Sequence, residues 1–518
     1  MLAVVIVAAG VVLRFYAPSA LWLDETLSVD ISRLGITEIP RALAHDGSPP
    51  LYYYLLHFWM LAFGQGDFAV RMLSGVASVA TLPFMWAAGR RLGGERTAWA
   101  ALLLLATNPF AISYATDTRM YSLMMLLVVL GYLAVARVLE RTTRGRLVAL
   151  GAVTAALLYT HYWALYVVAS TAAWLVFKIW RARRTSDPEA RGYRAAFGAV
   201  VIGVVCWLPC APLFVYQTLH TGTPWTGAAG PADALTIFQD FSGYGPWAML
   251  LMFWLFALVV LGIFGRPSRL VGPPGRLSGA PAAGDADREI PARYQITLDL
   301  RTRAEARPVV VVLLGTLGIA VAGGALANAA FVARYTSVIF PLFVLLAALG
   351  LTVFADRRMV AGMLGVACLA GVLTGYGNNQ QQRTQAVQVA AVLNVQAQPG
   401  DEVVYCPDQL GPAVNRLLTV PGVTQLTFPR AIGPDRVDWV NYKQTIDRTD
   451  VGSFAQEMLA RLPAGRTLWL VYRNGYPGFG GDCGYLYSWL NLLRPSGETV
   501  VGANGHFYEF ENLVRFPN

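Results

Sequence analysis

LYYYLLHFWMLAF (residues 51–63) decides the fold of this 518-residue chain, because whether it crosses a membrane sets the side on which every later loop lies. The chain is 55% hydrophobic and 14% charged, with a mean hydropathy of +0.47. Apolar stretches recur at close to the ~20 residues that a bilayer span requires. They fall near 1–13, 69–88, 97–114, 121–138, 147–160, 162–177, 195–217, 247–264, 309–327, 338–355 and 359–376, which is eleven without 51–63. If 51–63 spanned as well, the basic loops GRRLGGER (89–96) and ERTTRGR (140–146) would lie outside. Short cytoplasmic loops collect Arg and Lys. Laid flat on the outer surface, 51–63 puts both loops inside, together with 23 of the 40 Lys and Arg. The flat reading is therefore the expected one.

The net charge of +9 is used by this orientation, so no nucleic-acid partner follows from it. The expected class is an α-helical polytopic membrane protein with about eleven transmembrane helices, a flat interfacial helix and a carboxy-terminal extracytoplasmic α/β domain. Loop 14–68 and everything after about 377 then lie outside. The first span is short; without a basic n-region or small-residue cleavage site it reads as a short first helix, or as the end of one starting upstream. Residues 1–376 form the membrane domain, and 266–308, rich in Gly, Pro and Arg, reads as an inner linker loop. In 377–518, strands are expected at DEVVYC (401–406), RTLWLVY (466–472) and HFYEF (506–510), with helices at 382–396 and 451–462. Cys406 and Cys483 share this outer domain, where a disulfide is permitted. Cys206, Cys210 and Cys368 lie in apolar spans as inert thiols.

Polar groups at the rim of a bilayer are costly unless paired or wet, and here they gather on the outer face. Asp24 and Glu25 stand in LWLDETLSV (21–29), and His45 and Asp46 in HDGSPPLYYYLLH (45–57). Asp117 and Arg119 stand in ATDTRMYSL (115–123), His161 in YTHYWALY (159–166), and Arg334 and Tyr335 in FVARYTSV (331–338). Each has a plainer reading. Asp24 could cap a helix, Asp46 could form a turn, the arginines could snorkel to headgroups, His45 and His161 could be polar turns, and Tyr52–Tyr54 could belong to an aromatic belt. Their convergence on one face argues for chemistry.

The order Asp-Glu, Pro-Pro-Leu-Tyr-Tyr, Gly-Arg-Arg-Leu, Thr-Arg-Met-Tyr, Thr-His-Tyr and Ala-Arg-Tyr, over residues 1–376, resembles the type C membrane glycosyltransferases. The similarity is to the bacterial branch related to protein O-mannosyltransferases and lipid A aminoarabinose transferases. It implies transfer of a sugar from a polyprenyl-phosphate donor to a glycan, lipid or protein acceptor, on the outer face of a bacterial inner membrane and with inversion. Asp24 stands at the family's base position, where a carboxylate takes the acceptor's proton. Arg334 and Arg119, with Arg71 third, suit the leaving phosphate, and His161 the donor. Glu25, which points about 100° away from Asp24 if the segment is helical, would anchor the loop or contact acceptor or metal. Asp117, Asp46, Tyr53 and Tyr335 would bind substrate. No cofactor is required; a divalent cation held by His45, Asp46 and His161 is an option. Gly47-Ser48 stands where the aminoarabinose enzymes carry Glu-Lys, so their phosphate-binding lysine is missing. The outer domain, by position, would confine the acceptor. A transporter or flippase for a lipid-linked saccharide, or a lipid-linked oligosaccharide ligase or hydrolase, are the rival readings. Two lysines against abundant Arg, Ala and Gly suggest a GC-rich bacterium, with mannose or arabinofuranose as the sugar.

Overall fold

The computed structural model describes residues 2–185, 188–222, 233–266, 298–327 and 331–518. Most of the expected linker, 267–297, lies outside the described residues. A helix occupies each of the eleven apolar stretches. Seven helices among the described residues are long and apolar enough to cross a membrane. The first of them, Asp67–Thr107, is doubled on itself: Gly93 and Gly94 leave helical geometry, and Gly94 at φ 80° adopts a conformation only glycine takes without strain. The returning half packs so closely that a Cβ on Gly89 would meet the Thr97 carbonyl oxygen at 2.8 Å. GRRLGGER is thus a tight connection between two antiparallel helices.

That connection meets the other basic loop. Arg91 Nη2 lies 2.8 Å from Glu140 Oε2, so 89–96 and 140–146 occupy the same end of the bundle. The helix Tyr121–Glu140 rises from the opposite end, where the polar connections gather; at 1.5 Å per residue its 20 residues separate the two ends by about 30 Å. Both readings of 51–63 put these loops on one side, so the choice between them rests on the helix itself.

Residues 51–63 are one helix, Leu51–Phe63, of 13 residues. Its length of about 20 Å falls short of a ~30 Å hydrocarbon core. Tyr52, Tyr53, Leu56 and Met60 are buried against protein, while Leu55, Phe58, Leu61 and Phe63 are exposed. A helix that is apolar outward as well as inward, and too short to span, has the form of one lying along the interface.

Beyond the last long helix, Arg357–Gln380, stands a five-stranded sheet: β1 (Glu402–Cys406), β2 (Thr424–Thr427), β3 (Leu468–Tyr472), β4 (Glu498–Val501) and β5 (Asn512–Phe516), in the order β2-β1-β3-β5-β4. β1 runs parallel to β2 and β3, and β5 antiparallel to β3 and β4. Strand alternation divides its core. Val403, Tyr405, Trp469 and Val471 face the helix Ala386–Gln396, and Val404, Leu468 and Leu470 face the helices Val451–Arg461 and Asp482–Leu493. The expected strands at 401–406 and 466–472 and both expected helices are present, but HFYEF is not a strand. Its alternation serves contacts with the membrane domain instead, and β5, which lies between β3 and β4, begins at Asn512.

Cys406 at the end of β1 is bonded to Cys483, closing a 77-residue separation. Replacing both by Ser is expected to lower stability of the outer domain by roughly 2–4 kcal/mol. Thermal melts of the oxidised protein and the double variant should separate accordingly; coincident melts would refute it.

Candidate active site

The helix Leu23–Arg33 carries the acid pair and organises everything around it. Its first turn is completed by Glu25, whose Oε2 accepts the Trp22 backbone N–H at 3.4 Å, and both acids sit at the favourable end of the helix dipole. Leu23 and Leu27 enter the core of the carboxy-terminal domain, while Val29 and Ile31 pack with Tyr52, Tyr53 and Leu56 of the short helix. The acid helix is therefore clamped between the two parts of the chain.

Because the segment is helical, the two carboxylates diverge. Glu25 turns inward and is fully buried. Arg71 grips it with Nε on Oε1 at 2.7 Å and Nη2 on Oε2 at 2.6 Å. The Thr118 N–H donates to Oε1 at 3.0 Å, and Arg383 Nη1 stands 3.4 Å from Oε2. Burial opposes its charge, but Arg71 and Arg383 outweigh burial and hold Glu25 below the usual carboxylate range. Arg71 also donates to the carbonyls of Ser19 at 2.6 Å and Ala20 at 3.1 Å. Glu25 and Arg71 are thus an anchor for the loop, the first of the roles expected for Glu25.

Asp24 points the other way, into a polar cluster built from four connections. Arg334 Nη1 donates to its Oδ2 at 2.7 Å, with both side chains about five-sixths buried. Arg119 Nη1 reaches the Asp24 carbonyl oxygen at 3.4 Å, Ser28 Oγ at 3.1 Å and the Tyr53 hydroxyl at 3.3 Å. The Nε atoms of both arginines are buried without a hydrogen-bond partner. A buried donor left unmade is costly. Here two of them, on guanidiniums from separate elements, serve the same pocket.

Tyr53 is fully buried and donates its hydroxyl to Asp46 Oδ2 at 2.8 Å. Tyr53 thereby links Asp46 to Arg119. The His161 ring lies tilted against Tyr335 with centroids 4.9 Å apart, and its Nδ1 accepts the Trp163 N–H at 3.1 Å, which leaves Nε2 as the protonated nitrogen. Burial first, then Arg119 and Arg334, drive its pKa down, so the ring is neutral. Asp117 accepts from Trp22 Nε1 at 3.2 Å and stands 3.8 Å from Arg383; burial and Glu25 push it up to about 6.

His45 does not join this group. Its Nδ1 is 2.7 Å from Asp438 of the carboxy-terminal domain and its carbonyl accepts the Trp439 N–H, so it fastens the two domains together. No three His, Cys, Asp or Glu side chains among the described residues are grouped to hold a metal ion, and His45, Asp46 and His161 are each engaged elsewhere.

Several participants left no mark in the sequence reading. Arg383, the lone charge in NNQQQRTQ, bridges Glu25, Asp117 and Thr116. Ser28 and Trp22 contact Arg119 and Arg334 from the acid helix and its cap. From the misread HFYEF stretch, Tyr508 stands edge-on to Trp22 at 5.4 Å. Its neighbour Glu509 accepts the Leu23 N–H with oxygens at 3.2 and 3.3 Å, capping the acid helix.

Residues 47–208 match the family of dolichyl-phosphate-mannose-protein mannosyltransferases. No curated protein sequence matches the chain. Among solved structures, ArnT from Cupriavidus metallidurans in the apo state superposes with a TM-score of 0.61 at 12% identity, covering 99% of this chain and 97% of that one. The same protein bound to undecaprenyl phosphate gives 0.56 at 14% identity, with the same coverage. The Archaeoglobus fulgidus oligosaccharyltransferase complex with Zn and sulfate gives 0.51 at 11% identity, covering 91% of this chain and 68% of that one. With helices along its apolar stretches, a carboxy-terminal sheet domain and these neighbours, the chain is a multi-pass membrane protein of the type C glycosyltransferase fold.

Proposed function

We propose that the protein transfers a sugar from a polyprenyl-phosphate donor to the hydroxyl of a cell-envelope acceptor, on the outer side of a bacterial inner membrane and with inversion. The observation that carries this reading is the cluster in which Asp24 meets Arg334 and Arg119, each arginine with a buried, unpartnered Nε–H. Two guanidiniums converging beside one carboxylate suit a leaving phosphate next to a general base. The ArnT structure that holds undecaprenyl phosphate supports a lipid-linked donor.

In the step, the acceptor oxygen attacks the anomeric carbon and its proton passes to Asp24. The bond from that carbon to the phosphate oxygen breaks, and the lipid phosphate leaves with the electron pair. A single displacement inverts the carbon. Arg334 and Arg119 take up the charge that grows on the phosphate. In the structure Arg334 occupies Oδ2 of Asp24; an arriving phosphate competes for that guanidinium and frees the oxygen for the acceptor. Base and donor site are thereby coupled. His161, neutral, with Nε2–H as its free donor, orients the donor; Asp46 and Tyr53 hold Arg119; Asp117 and Tyr335 line the pocket.

The test is incubation of purified protein with polyprenyl-phosphate mannose and polyprenyl-phosphate arabinofuranose, each labelled in the sugar, plus envelope extract. Label moving to an extract component supports the reading. Label translocated across a vesicle without leaving its lipid would make the protein a transporter and sink it. His45→Ala and His161→Ala are expected to part company. His45 is half exposed and its pair with Asp438 is worth about 1 kcal/mol or less, so transfer should fall less than about tenfold. His161→Ala should cost about 10²-fold or more; equal rates in the two variants would remove His161 from the site.

A further inference from the structure

Far from Asp24, at the end of the bundle that holds the basic loops, a cleft of about 890 Å³ opens between the helices Ala164–Thr185, Ala190–Trp207 and Arg307–Ala327. Lys178, Arg181 and Arg307 line one end of it, and no acidic residue is part of its lining. Lys178 Nζ lies 5.0 Å from the ring centroid of Tyr193, which pins the ammonium to the cleft wall. Glu189, at the start of the second helix, accepts the Tyr193 hydroxyl at 2.5 Å. Away from the cations the wall becomes apolar, through Trp174 and Val311 to Ile319.

The dimensions are informative. Arg307 and Ile319 stand on one helix, twelve residues apart, which is about 18 Å. That is slightly more than the depth of one leaflet of a ~30 Å hydrocarbon core. A second cavity, of about 220 Å³ and almost wholly apolar, shares Trp174 and Pro308 with the first and continues toward Val128 and Leu342. A trench with cations at its headgroup end and one leaflet of apolar wall matches a lipid carrying negative charge. Basic pockets between membrane helices recognise such headgroups.

We propose that this cleft is a binding site for an anionic glycerophospholipid, with Lys178, Arg181 and Arg307 on the headgroup phosphate and an acyl chain along Trp174, Val311 and Ile319. The site is separate from the donor pocket, which lies at the other end of the helices, and it does not depend on the proposed reaction.

The test uses delipidated full-length protein in neutral detergent, titrated with dioleoyl phosphatidylglycerol or dioleoyl phosphatidylcholine, with bound lipid counted by native mass spectrometry. The wild type is expected to bind one phosphatidylglycerol at least tenfold more tightly than phosphatidylcholine. Lys178→Gln/Arg181→Gln/Arg307→Gln should abolish that preference, while Arg144→Gln/Arg183→Gln/Arg358→Gln, which removes equal charge from the same end, should keep it. Ala173→Phe fills the trench without touching a charge and should reduce binding of both lipids. Equal affinity for the two lipids in the wild type would overturn the proposal. So would the same loss in both charge variants, or full binding by Ala173→Phe.

Discussion

Asp24→Asn is expected to lower the rate of sugar transfer about 10²–10⁴-fold at saturating donor while leaving the protein folded. A thousandfold loss corresponds to about 4 kcal/mol of barrier. The amide keeps the size of the carboxylate and can still accept from Arg334 through its oxygen, so the pocket retains its shape. What disappears is the capacity to take the acceptor's proton. Donor binding should hold or improve, because the phosphate no longer competes with a carboxylate for Arg334. A variant that loses donor affinity in proportion to rate would instead make Asp24 a binding group. Arg334→Gln should show the opposite split, with donor affinity falling alongside the rate.

The largest effect on stability is expected at the other carboxylate. Arg71→Met strands a fully buried Glu25 and the carbonyls of Ser19 and Ala20 at once, and should destabilise by about 3–5 kcal/mol. Arg383, still 3.4 Å away, offsets part of this and places the result toward the lower figure. Glu25→Leu/Arg71→Met together should recover much of the loss, since a buried pair removed whole leaves no lone charge. Thermal denaturation of the purified protein checks the order: single below double, double below wild type. If Arg71→Met melts with the wild type, Glu25 is not the anchor proposed. Acid gives an independent reading. With Glu25 held below its unfolded value, its contribution is present above pH ~4 and is lost as pH falls through its folded value. That part of the acid destabilisation should be absent in Glu25→Gln.

The divergence of Asp24 from Glu25 was legible because it follows from helical geometry alone, once the segment is helical. Arg334, Arg119 and His161 were legible because polar side chains at span ends stand out against apolar surroundings. Arg383 and Glu509 were not. Their partners are hundreds of residues away, and neither sits in a motif that differs from an ordinary surface stretch. HFYEF alternates like a strand, and alternation cannot distinguish a ladder from a turn whose side chains dock on another domain. Arg71 shows a related limit: an arginine near a span end looks alike in sequence whether it meets a phosphate or a buried acid, and here it grips Glu25. The strands β2 and β4, TQLT and ETVV, are too short and polar at the sheet edges to announce themselves.

The cap that Glu509 places on Leu23 joins residues 486 apart in the chain. Burial is the main force holding its carboxyl up at about 8, with Asp24 adding to it against the Leu23 N–H, so at neutral pH this is an uncharged group completing a helix beside two acids. The order of synthesis gives this a consequence in time. A ribosome delivers Asp24 well before Glu509, and the helices between them are made in the interval. Until then the first turn of the acid helix lacks its cap, and Leu23 and Leu27 lack the core they are buried in. A chain inserted in the membrane but not yet extended to Glu509 thus holds the spans without the set carboxylate, and on the proposed function it is expected to be inactive until the carboxy-terminal domain has folded.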